Sequence, residues 1–397
     1  MGIQTFSRLR RERYVYVDKT DMVWLLAQEN NPFLFFARPR RFGKSLLAST
    51  LHSFFAGERE LFRGLKVDEL EWDWKHYPVL HFDLSGAKHL PPQGVRDELG
   101  RQLKIMEEQY GADPAETSPG MRFAGVVNRA FKKTNLQVAI IIDEYDAPLL
   151  DVLHEEEQLH DMREVLQEFY QRLKMLEPMI KFCFITGITK FSQLSIFSTI
   201  NNITVISMLP KYAALCGITE EELITTLAPD IAMLAEANDC TPEEMHQRLK
   251  NHYDGYKFSR KSPEIYNPFS LFKAFDLGEV GDYWFDSGTP AYLVRQMKKY
   301  GFENFEEPEI LFPDSFCHEE TDLSDITAQL FECGYLSIAD HIPDDLLFLL
   351  RFPNRETKES YDLLKREITC LTTLRGAVSS SAVCTSTSIA APSMNGR

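Results

Sequence analysis

Residues 33–45 read FLFFARPRRFGKS, an apolar run followed by a basic loop that ends in the tripeptide GKS at 43–45. The apolar run Phe33–Ala37 predicts a buried strand. After the loop, apolar residues recur over 47–55 at the spacing of one helical face, which predicts a helix. A strand, a Gly-Lys-Ser loop and a helix in this order are typical of a P-loop, where backbone N–H groups and the helix N-terminus bind phosphate oxygens.

The loop supplies the residues expected to contact a nucleotide. Lys44 is predicted to reach the β- and γ-phosphates, and the Ser45 hydroxyl is predicted to ligate magnesium. Arg38 occupies the position where the usual motif has glycine, so we expect its guanidinium to lie beside the phosphates. The alternative is a chance Gly-Lys-Ser at a helix start with an exposed basic loop. The predicted nucleotide-binding residues are Arg38, Pro39, Arg40, Arg41, Phe42, Gly43, Lys44, Ser45 and Leu46.

A second apolar run, VAIII at 138–142, predicts another buried strand, and it ends in Asp143 and Glu144. An acid at the end of a parallel strand near a P-loop is placed to hold magnesium, and we assign that role to Asp143. Glu144 is predicted to polarise the water that attacks the γ-phosphate. The alternative is an acidic turn that faces solvent. The two motifs in this order on one chain favour nucleotide binding.

A third apolar run, FCFI at 182–185, ends in Thr186, which we predict to contact the γ-phosphate or the attacking water. Equally open is a hydroxyl that bonds the backbone of its own turn. Thr189 and Lys190 are secondary candidates for the same contact. GTPases usually read guanine with an N/T-K-x-D segment, and Ser192 stands where the Asp would be. The predicted nucleotide is therefore ATP.

Strand-like and helix-like segments alternate through the first half, which predicts an α/β P-loop NTPase domain with a parallel sheet and helices on both faces. Further strands are expected at 79–82 and 204–208, and further helices near 93–110, 120–133 and 157–176. We place this domain at residues 1–215. A mainly helical C-terminal domain is predicted at 216–368, where Thr219 and Thr241 each precede acidic residues and resemble helix N-caps.

The last segment, 369–397, is rich in Ser, Thr and Ala, and no acidic residue follows Glu367. It lacks a periodic apolar face, so it is predicted to be disordered or aberrant. A natural tail, a shifted reading frame and an early stop all fit this composition. On each alternative we expect deletion of residues 370–397 to leave the melting temperature and any ATPase rate unchanged.

Composition excludes several classes of protein. The net charge of −16 argues against general coating of DNA or RNA, which requires neutralisation of phosphates. Seven scattered cysteines without a CxxC pair argue against a zinc site or a disulfide framework. No apolar run approaches the roughly 18 residues that span a bilayer, and no signal peptide is recognisable. We therefore expect a cytoplasmic protein without a membrane partner.

Aromatic residues cluster in the second half of the chain. They could form a platform that stacks bases of single-stranded nucleic acid. Packing between the helical domain and the ATPase is the favoured alternative, because the surroundings are acidic. The residues are Tyr253, Tyr256, Tyr266, Phe269, Tyr283, Trp284 and Phe285.

The chain resembles the bacterial and archaeal AAA-ATPase-like P-loop family, of the ASCE or AAA-like type. The resemblance covers roughly residues 5–365, and the strings RPRRFGKS and IDEYD are its most specific part. It implies that Arg38 is a feature of the family. Members commonly continue into a PD-(D/E)XK nuclease-like domain, but here the resemblance fades near Lys365, so we expect no nuclease activity. The other matching segments are 16–20, 77–79, 186–192, 197–198, 253–256, 266–270, 287–290, 334–336 and 352–354.

These observations predict a magnesium-dependent ATPase that acts as a nucleotide-driven switch, with ATP and Mg²⁺ as cofactors. The helical region would sense the γ-phosphate. Alternatives are a non-hydrolysing ATP-binding scaffold, a small-molecule kinase, and the ATPase module of a truncated nuclease-linked defence or mobile-element protein. A homo-oligomer or a partner protein is possible, and nucleic acid is possible but not indicated. The predicted catalytic residues are Glu144, Lys44 and Thr186, and the predicted metal ligands are Ser45 and Asp143.

Overall fold

The computed structural model describes residues 3–189, 203–285, 291–300, 310–313, 325–366 and 368. The predictions for Lys190, Ser192, residues 287–290 and the tail at 369–397 lie outside the described residues. Within the described ranges, no helix is long and apolar enough to cross a membrane.

Helices and strands alternate through the first half of the chain, and shorter helices with a two-stranded and a three-stranded sheet follow. The helices are α1 Phe6–Arg11, α2 Thr20–Ala27, α3 Lys44–Phe55, α4 Pro92–Tyr110, α5 Pro119–Thr134, α6 Ala147–Leu150, α7 Glu156–Tyr170, α8 Arg172–Leu176, α9 Glu220–Thr226, α10 Ala228–Ala237, α11 Pro242–Tyr253, α12 Pro268–Leu277, α13 Ala291–Tyr300, α14 Ile326–Cys333 and α15 at 355–366. The strands are β1 Phe33–Ala37, β2 Val79–Asp83, β3 Val138–Asp143, β4 Ile180–Gly187, β5 Thr204–Val205, β6 Ile218–Thr219, β7 Ile265–Tyr266, β8 Ile310–Pro313, β9 Ser337–Ile342 and β10 Leu347–Arg351.

The central sheet contains β1 to β5 in the order β2-β3-β4-β1-β5, and its neighbouring strands are all parallel. The four apolar runs that predicted strands are all in this sheet. Strand β4 lies between β1, which leads into the Gly-Lys-Ser loop, and β3, which ends in the predicted acid. The carboxyl ends of β1, β3 and β4 therefore meet at one edge of the sheet.

Helices cover both faces of the sheet, as predicted. On β2, the ring of His81 lies 5.6 Å from that of His52 in α3. The next residue, Phe82, points the other way, with its ring 5.5 Å from Phe123 of α5 and 5.2 Å from Phe169 of α7. Because successive strand residues face opposite sides, α3 covers one face and α5 with α7 covers the other.

The C-terminal region, residues 216–368, begins with the predicted helices. Thr219 and Thr241 both cap their helices, and each forms a reciprocal capping box with the glutamate three residues later. The predicted second domain is thus mainly helical. A three-stranded antiparallel sheet, in the order β8-β10-β9, is an addition that the sequence did not predict.

Two hydrophobic cores are present in the described part of the chain. Residues of α9 to α12 form a small core of their own, which includes Leu223, Leu249 and Leu271. The larger core contains the central sheet together with later residues such as Tyr256 and Tyr335. Much of the C-terminal region therefore packs directly on the ATPase-like domain, and the boundary between 215 and 216 stays a prediction.

Candidate functional site

The Gly-Lys-Ser loop joins β1 to α3 through Gly43, which is the residue before the first turn of the helix. Gly43 has φ of 97°, a left-handed conformation that glycine adopts without steric cost. A Cβ at this position would have no atom within 4 Å, so the space beside the Cα is open. No side chain caps the first turn of α3, whose first N–H groups have no partner within the helix.

Lys44 lies inside the loop and is only 6% exposed. Its ammonium donates to the backbone oxygens of Arg38 at 3.0 Å and Pro39 at 3.1 Å. An ammonium has three N–H donors, so one remains for another acceptor. The loop thus holds the Lys44 ammonium in place at the start of α3.

Arg38 does not face the loop as the sequence analysis expected. Its side chain is buried, and its Nη1 donates to the backbone oxygens of Ala37 at 2.9 Å and Ser207 at 2.7 Å. The guanidinium also lies 4.1 Å from the ring centre of Phe258 and 4.5 Å from that of Phe36. Backbone oxygens and aromatic faces therefore hold this charge, although burial lowers the pKa of Arg38.

The Arg38 side chain points into the interior because the residue directly follows a buried strand. Its long side chain follows the strand into the interior, where backbone oxygens after β5 accept hydrogen bonds from the guanidinium. Nη2 completes the set with the oxygens of Tyr212 at 3.4 Å and Ala213 at 3.3 Å. A role of Arg38 in nucleotide binding through its backbone stays a prediction.

The other residues of the loop contact the C-terminal region. Phe42 is buried, with its ring 4.8 Å from that of Tyr256 and 5.5 Å from that of Phe258, both edge to face. Arg41, whose φ is 70°, lies over the ring of Phe269 at 5.1 Å. Of the aromatic residues that the sequence analysis assigned to packing, Tyr256 and Phe269 therefore pack on the loop itself, whereas Tyr253 and Tyr266 belong to the small core of α9 to α12.

Further contacts complete the placement of the predicted loop residues. Pro39 is buried beside Gly334, where a Cβ would come within 2.9 Å of the proline ring. Arg40 and Leu46 are half-buried. Leu46 belongs to the first turn of α3, and its oxygen accepts a hydrogen bond from the Thr50 hydroxyl at 2.8 Å. Of the predicted set, only Arg41 and Gly43 are exposed.

Asp143 ends β3 beside the start of α3. It is 3% exposed, and this burial raises its pKa to about 6. The Ser45 hydroxyl, which is a hydrogen-bond partner, and the Lys44 ammonium act in the opposite direction. The structure therefore brings together the two residues that the sequence analysis assigned to magnesium.

The strand register places three polar side chains in a row across the sheet edge. Asp83 pairs with Asp143, and the pair Ile142 and Ile185 is followed directly by Asp143 and Thr186. Paired residues in a parallel sheet share a face. Phe182 lies on the same face of β4 as Thr186, and its ring stacks on Phe55 of α3 at 4.6 Å, so α3 covers this face. Asp83, Asp143 and Thr186 therefore point to the side where α3 begins.

Thr186 is fully buried, and its hydroxyl has no hydrogen-bond partner among the described residues. The alternative that it bonds its own turn is therefore not observed. Thr189, the secondary candidate, is different because its N–H and hydroxyl both donate to Asp146. A buried hydroxyl without a partner costs free energy, which a ligand atom that accepts from Thr186 would recover.

Glu144 has φ of 48°, a left-handed conformation that is uncommon for residues other than glycine. Its N–H donates to Asp143 Oδ1 at 2.9 Å, and its oxygen accepts from Ala147 N at 3.0 Å. The side chain is half-buried and lies one residue beyond the row. Strained backbone of this kind is concentrated at functional sites.

Two residues of this region were overlooked by sequence reasoning. Tyr145 and Asp146 are buried and bind the segment that follows β4. The only signal in the sequence was their place in the string IDEYD directly after a buried strand, which does not reveal partners 42 to 44 residues away.

The residues at this edge fit a magnesium-bound nucleoside triphosphate. The first turn of α3 and Lys44 offer donors to phosphate, Ser45 and Asp143 offer oxygen ligands, and Thr186 offers an unpaired hydroxyl. No cluster of three or more His, Cys, Asp or Glu side chains suited to a metal occurs in the described ranges. Mg²⁺ in nucleotide sites does not need one, because it uses one or two protein oxygens with substrate phosphates and water.

The match to a family model agrees with a nucleotide-binding site. The family described as "Predicted AAA-ATPase" matches residues 1–197. An "Uncharacterized protein in vnfD 5'region" of Azotobacter chroococcum mcd 1 is 33% identical over 366 residues, which are 91% of this chain and 68% of that protein. Among solved structures, the Aeropyrum pernix ORC1 protein in complex with DNA aligns with a TM-score of 0.30 and 10% identity, over 86% of this chain and 90% of that one. A TM-score this low carries no conclusion about this chain.

Proposed function

Because this chain belongs to the predicted AAA-ATPase family, we propose that it binds ATP with magnesium at the sheet edge formed by β1, β3 and β4 and hydrolyses it. The observation that carries the proposal is that the Ser45 hydroxyl is a hydrogen-bond partner of the buried Asp143, whose carboxyl group also interacts electrostatically with the Lys44 ammonium. These three groups match the needs of a magnesium-bound triphosphate in charge and in type of donor.

Each residue has one part in the proposed reaction. Magnesium, when bound, neutralises negative charge on the phosphate oxygens during phosphoryl transfer. Ser45 and Asp143 would hold the ion, and Lys44 with the first-turn N–H groups of α3 would bind the β- and γ-phosphates. Glu144 would polarise the attacking water as a general base. Thr186 would donate its unpaired hydroxyl to the γ-phosphate or the water.

We further propose that nucleotide binding is transmitted to the C-terminal region. Four loop residues contact residues between 258 and 334, namely Arg38, Pro39, Arg41 and Phe42. Phe42 also packs on Tyr256. A change of loop conformation on phosphate binding would act on these contacts, because packed interfaces respond in discrete steps. This arrangement supports a switch whose output is the position or order of the C-terminal region.

Steady-state hydrolysis and ATP affinity of four variants test the proposal. Lys44→Ala should weaken Mg-ATP binding by about 2 to 3 kcal/mol in calorimetry, because it removes a charge-assisted contact. Glu144→Gln should retain binding but lower turnover by about 100-fold or more, because it removes the base. The exposed residues of Lys104→Ala and Glu157→Gln serve as controls and should leave both quantities unchanged.

Three results would contradict the proposal. Unchanged affinity in Lys44→Ala would refute the phosphate site. Wild-type binding without turnover, unaltered by Glu144→Gln, would identify a non-hydrolysing scaffold. Turnover that is independent of magnesium would refute the assignment of Ser45 and Asp143. Adding DNA to the wild-type assay would test nucleic acid as a partner, which the net negative charge of the chain does not favour.

A further inference from the structure

Asp146 is a buried carboxylate that the proposed reaction does not use. It is 1% exposed, and its Oδ2 accepts hydrogen bonds from Ile188 N at 2.8 Å, Thr189 N at 3.0 Å and the Thr189 hydroxyl at 3.2 Å. One oxygen atom thus gathers three donors from the segment that follows β4. Such convergence fixes that segment relative to the residue after β3.

Tyr145, the neighbouring residue, binds the same segment from its other side. Its N–H donates to Thr186 O at 3.1 Å, and its hydroxyl donates to Thr189 O at 2.8 Å. The ring is fully buried and lies edge to face on Phe35 of β1 at 5.4 Å. Tyr145 and Asp146 together with residues 186–189 are called the β3–β4 clasp below.

Gly187 permits the close approach within the clasp. A Cβ there would lie 2.6 Å from Asp146 Oδ1 and 2.7 Å from the Tyr145 ring. Any larger side chain at this position would separate the two strand ends. The clasp therefore depends on five hydrogen bonds and on direct packing against a glycine.

The clasp contains one residue assigned to the proposed reaction and adjoins another. Glu144 lies directly between Asp143 and the clasp, and Thr186 is the residue whose oxygen Tyr145 binds. The left-handed backbone of Glu144, with φ of 48°, costs on the order of 1 to 3 kcal/mol and persists only when its surroundings hold it. The hydrogen bonds of Tyr145 and Asp146 supply that constraint.

We propose that Asp146 is a positioning residue, which holds the Glu144 backbone and the Thr186 hydroxyl in the orientation that hydrolysis requires. The inference rests on the proposed ATPase function, and it assigns no contact between Asp146 and the nucleotide. Asp146 acts through the clasp, so its loss affects the step at the γ-phosphate more than the binding of ATP. A misplacement of about 1 Å at a reacting group can cost about 100-fold in rate.

Two variants weaken the clasp by different amounts. Asp146→Asn keeps the shape of the side chain but removes the charge, and Thr189→Val removes only the hydroxyl donor. Asp151→Asn is the control, because Asp151 is a partly buried Asp that also follows β3 but lies outside the clasp and pairs with His89 at 2.8 Å. Hydrogen exchange without nucleotide should speed up by about tenfold at residues 186–189 and 143–146 in Asp146→Asn, less in Thr189→Val, and not in the control.

Turnover supplies the second readout. Asp146→Asn should lower kcat by about 10- to 100-fold while the dissociation constant for Mg-ATP changes less than about twofold. In a Glu144→Gln background, Asp146→Asn should lower the residual kcat by a clearly smaller factor, because one of the two groups that it positions is already lost. A merely stabilising residue would lower kcat by the same factor in both backgrounds.

The outcomes separate the two proposals. Unchanged exchange at the clasp in Asp146→Asn would overturn the positioning role whatever the activity. Altered exchange with wild-type kcat, or with an equal loss of kcat in the Glu144→Gln background, would overturn it as well. Altered exchange in a chain whose wild type binds but never hydrolyses ATP would refute the ATPase proposal, and with it the catalytic part of this inference.

Discussion

Glu356 is a fully buried carboxyl group in the C-terminal region. Its Oε1 accepts hydrogen bonds from Tyr283 N at 2.8 Å and Trp284 N at 3.0 Å. Burial raises its pKa from 4.5 to about 7, and the nearby Asp282 acts in the same direction. The Ser270 hydroxyl and the two N–H groups only partly offset this rise. Glu356 therefore holds a proton in the folded state at a pH where it would be ionised in the unfolded chain.

The sign of the resulting pH dependence follows from linkage. The pKa is higher in the folded state, so its contribution to stability is present below about pH 4.5 and is lost as pH rises through about 7. Glu356→Gln removes this titration and keeps an oxygen acceptor for the two N–H groups. Between pH 5.5 and 8.5, the wild type should lose about 2 kcal/mol of unfolding free energy relative to the variant.

Urea denaturation at several pH values measures this difference. Glu359→Gln is the control on the same helix, because Arg355 lowers the pKa of the half-buried Glu359. The control should not gain stability relative to the wild type as pH rises. Parallel stability curves for the wild type and Glu356→Gln would show that Glu356 is ionised in the folded protein.

At the scale of elements, α9 and α11 begin with the same capping box but in different surroundings. Glu222 accepts from Thr219 N at 2.8 Å, and Glu244 accepts from Thr241 N at 3.0 Å. Only Glu222 also accepts a hydrogen bond from Lys19, at 2.6 Å. Lys19 is 8% exposed and precedes α2, so this pair joins the N-terminal segment to the first helix of the C-terminal region.

Alanine substitution separates the cap from the ion pair. Glu244→Ala should cost about 1 kcal/mol of unfolding free energy, as expected for loss of an exposed cap. Glu222→Ala should cost about 1 to 3 kcal/mol more, because it leaves the Lys19 ammonium buried without its partner. Denaturant titration of both variants and of Lys19→Met/Glu222→Ala tests this, since the double variant should recover part of the loss. Equal costs for the two single variants would contradict the prediction.

At the scale of the whole molecule, the nucleotide loop is one side of an interface. Gly334 and Gly278 both end helices in the left-handed conformation, with φ of 88° and 75°. A Cβ at Gly334 would meet Pro39 of the loop, whereas one at Gly278 would meet nothing within 4 Å. Alanine at either glycine therefore strains the backbone in the same way, but only alanine at Gly334 would contact the loop.

Alanine at these glycines tests the coupling between the C-terminal region and the loop. Both variants should lose about 1 kcal/mol of stability from backbone strain. Only Gly334→Ala should also change the Mg-ATP dissociation constant, by about fivefold, because it displaces the loop. Calorimetry with both proteins measures the difference. Equal affinities would mean that the loop tolerates movement of the C-terminal region, which would contradict the proposed switch.

Local patterns in the sequence determined the elements of this protein. The runs at 33–37 and 138–142 are strands because apolar side chains without alternation need cover on both faces. The capping boxes at Thr219 and Thr241 formed where they were predicted, because their hydrogen bonds span only three residues. The left-handed conformation of Gly43 before α3 is also a local feature. All these features depend on neighbours along the chain.

Tertiary packing determined which residues that are distant in the sequence contact one another. It inserted β4 between β1 and β3, buried the Arg38 guanidinium, and placed the clasp between Asp146 and residues 186–189. It also raised the pKa of Glu356, which has no unusual neighbours in the sequence. These features depend on groups tens to hundreds of residues away, whose approach is set by how the helices and strands pack. A sequence pattern specifies which side chains are available, and only packing selects their partners.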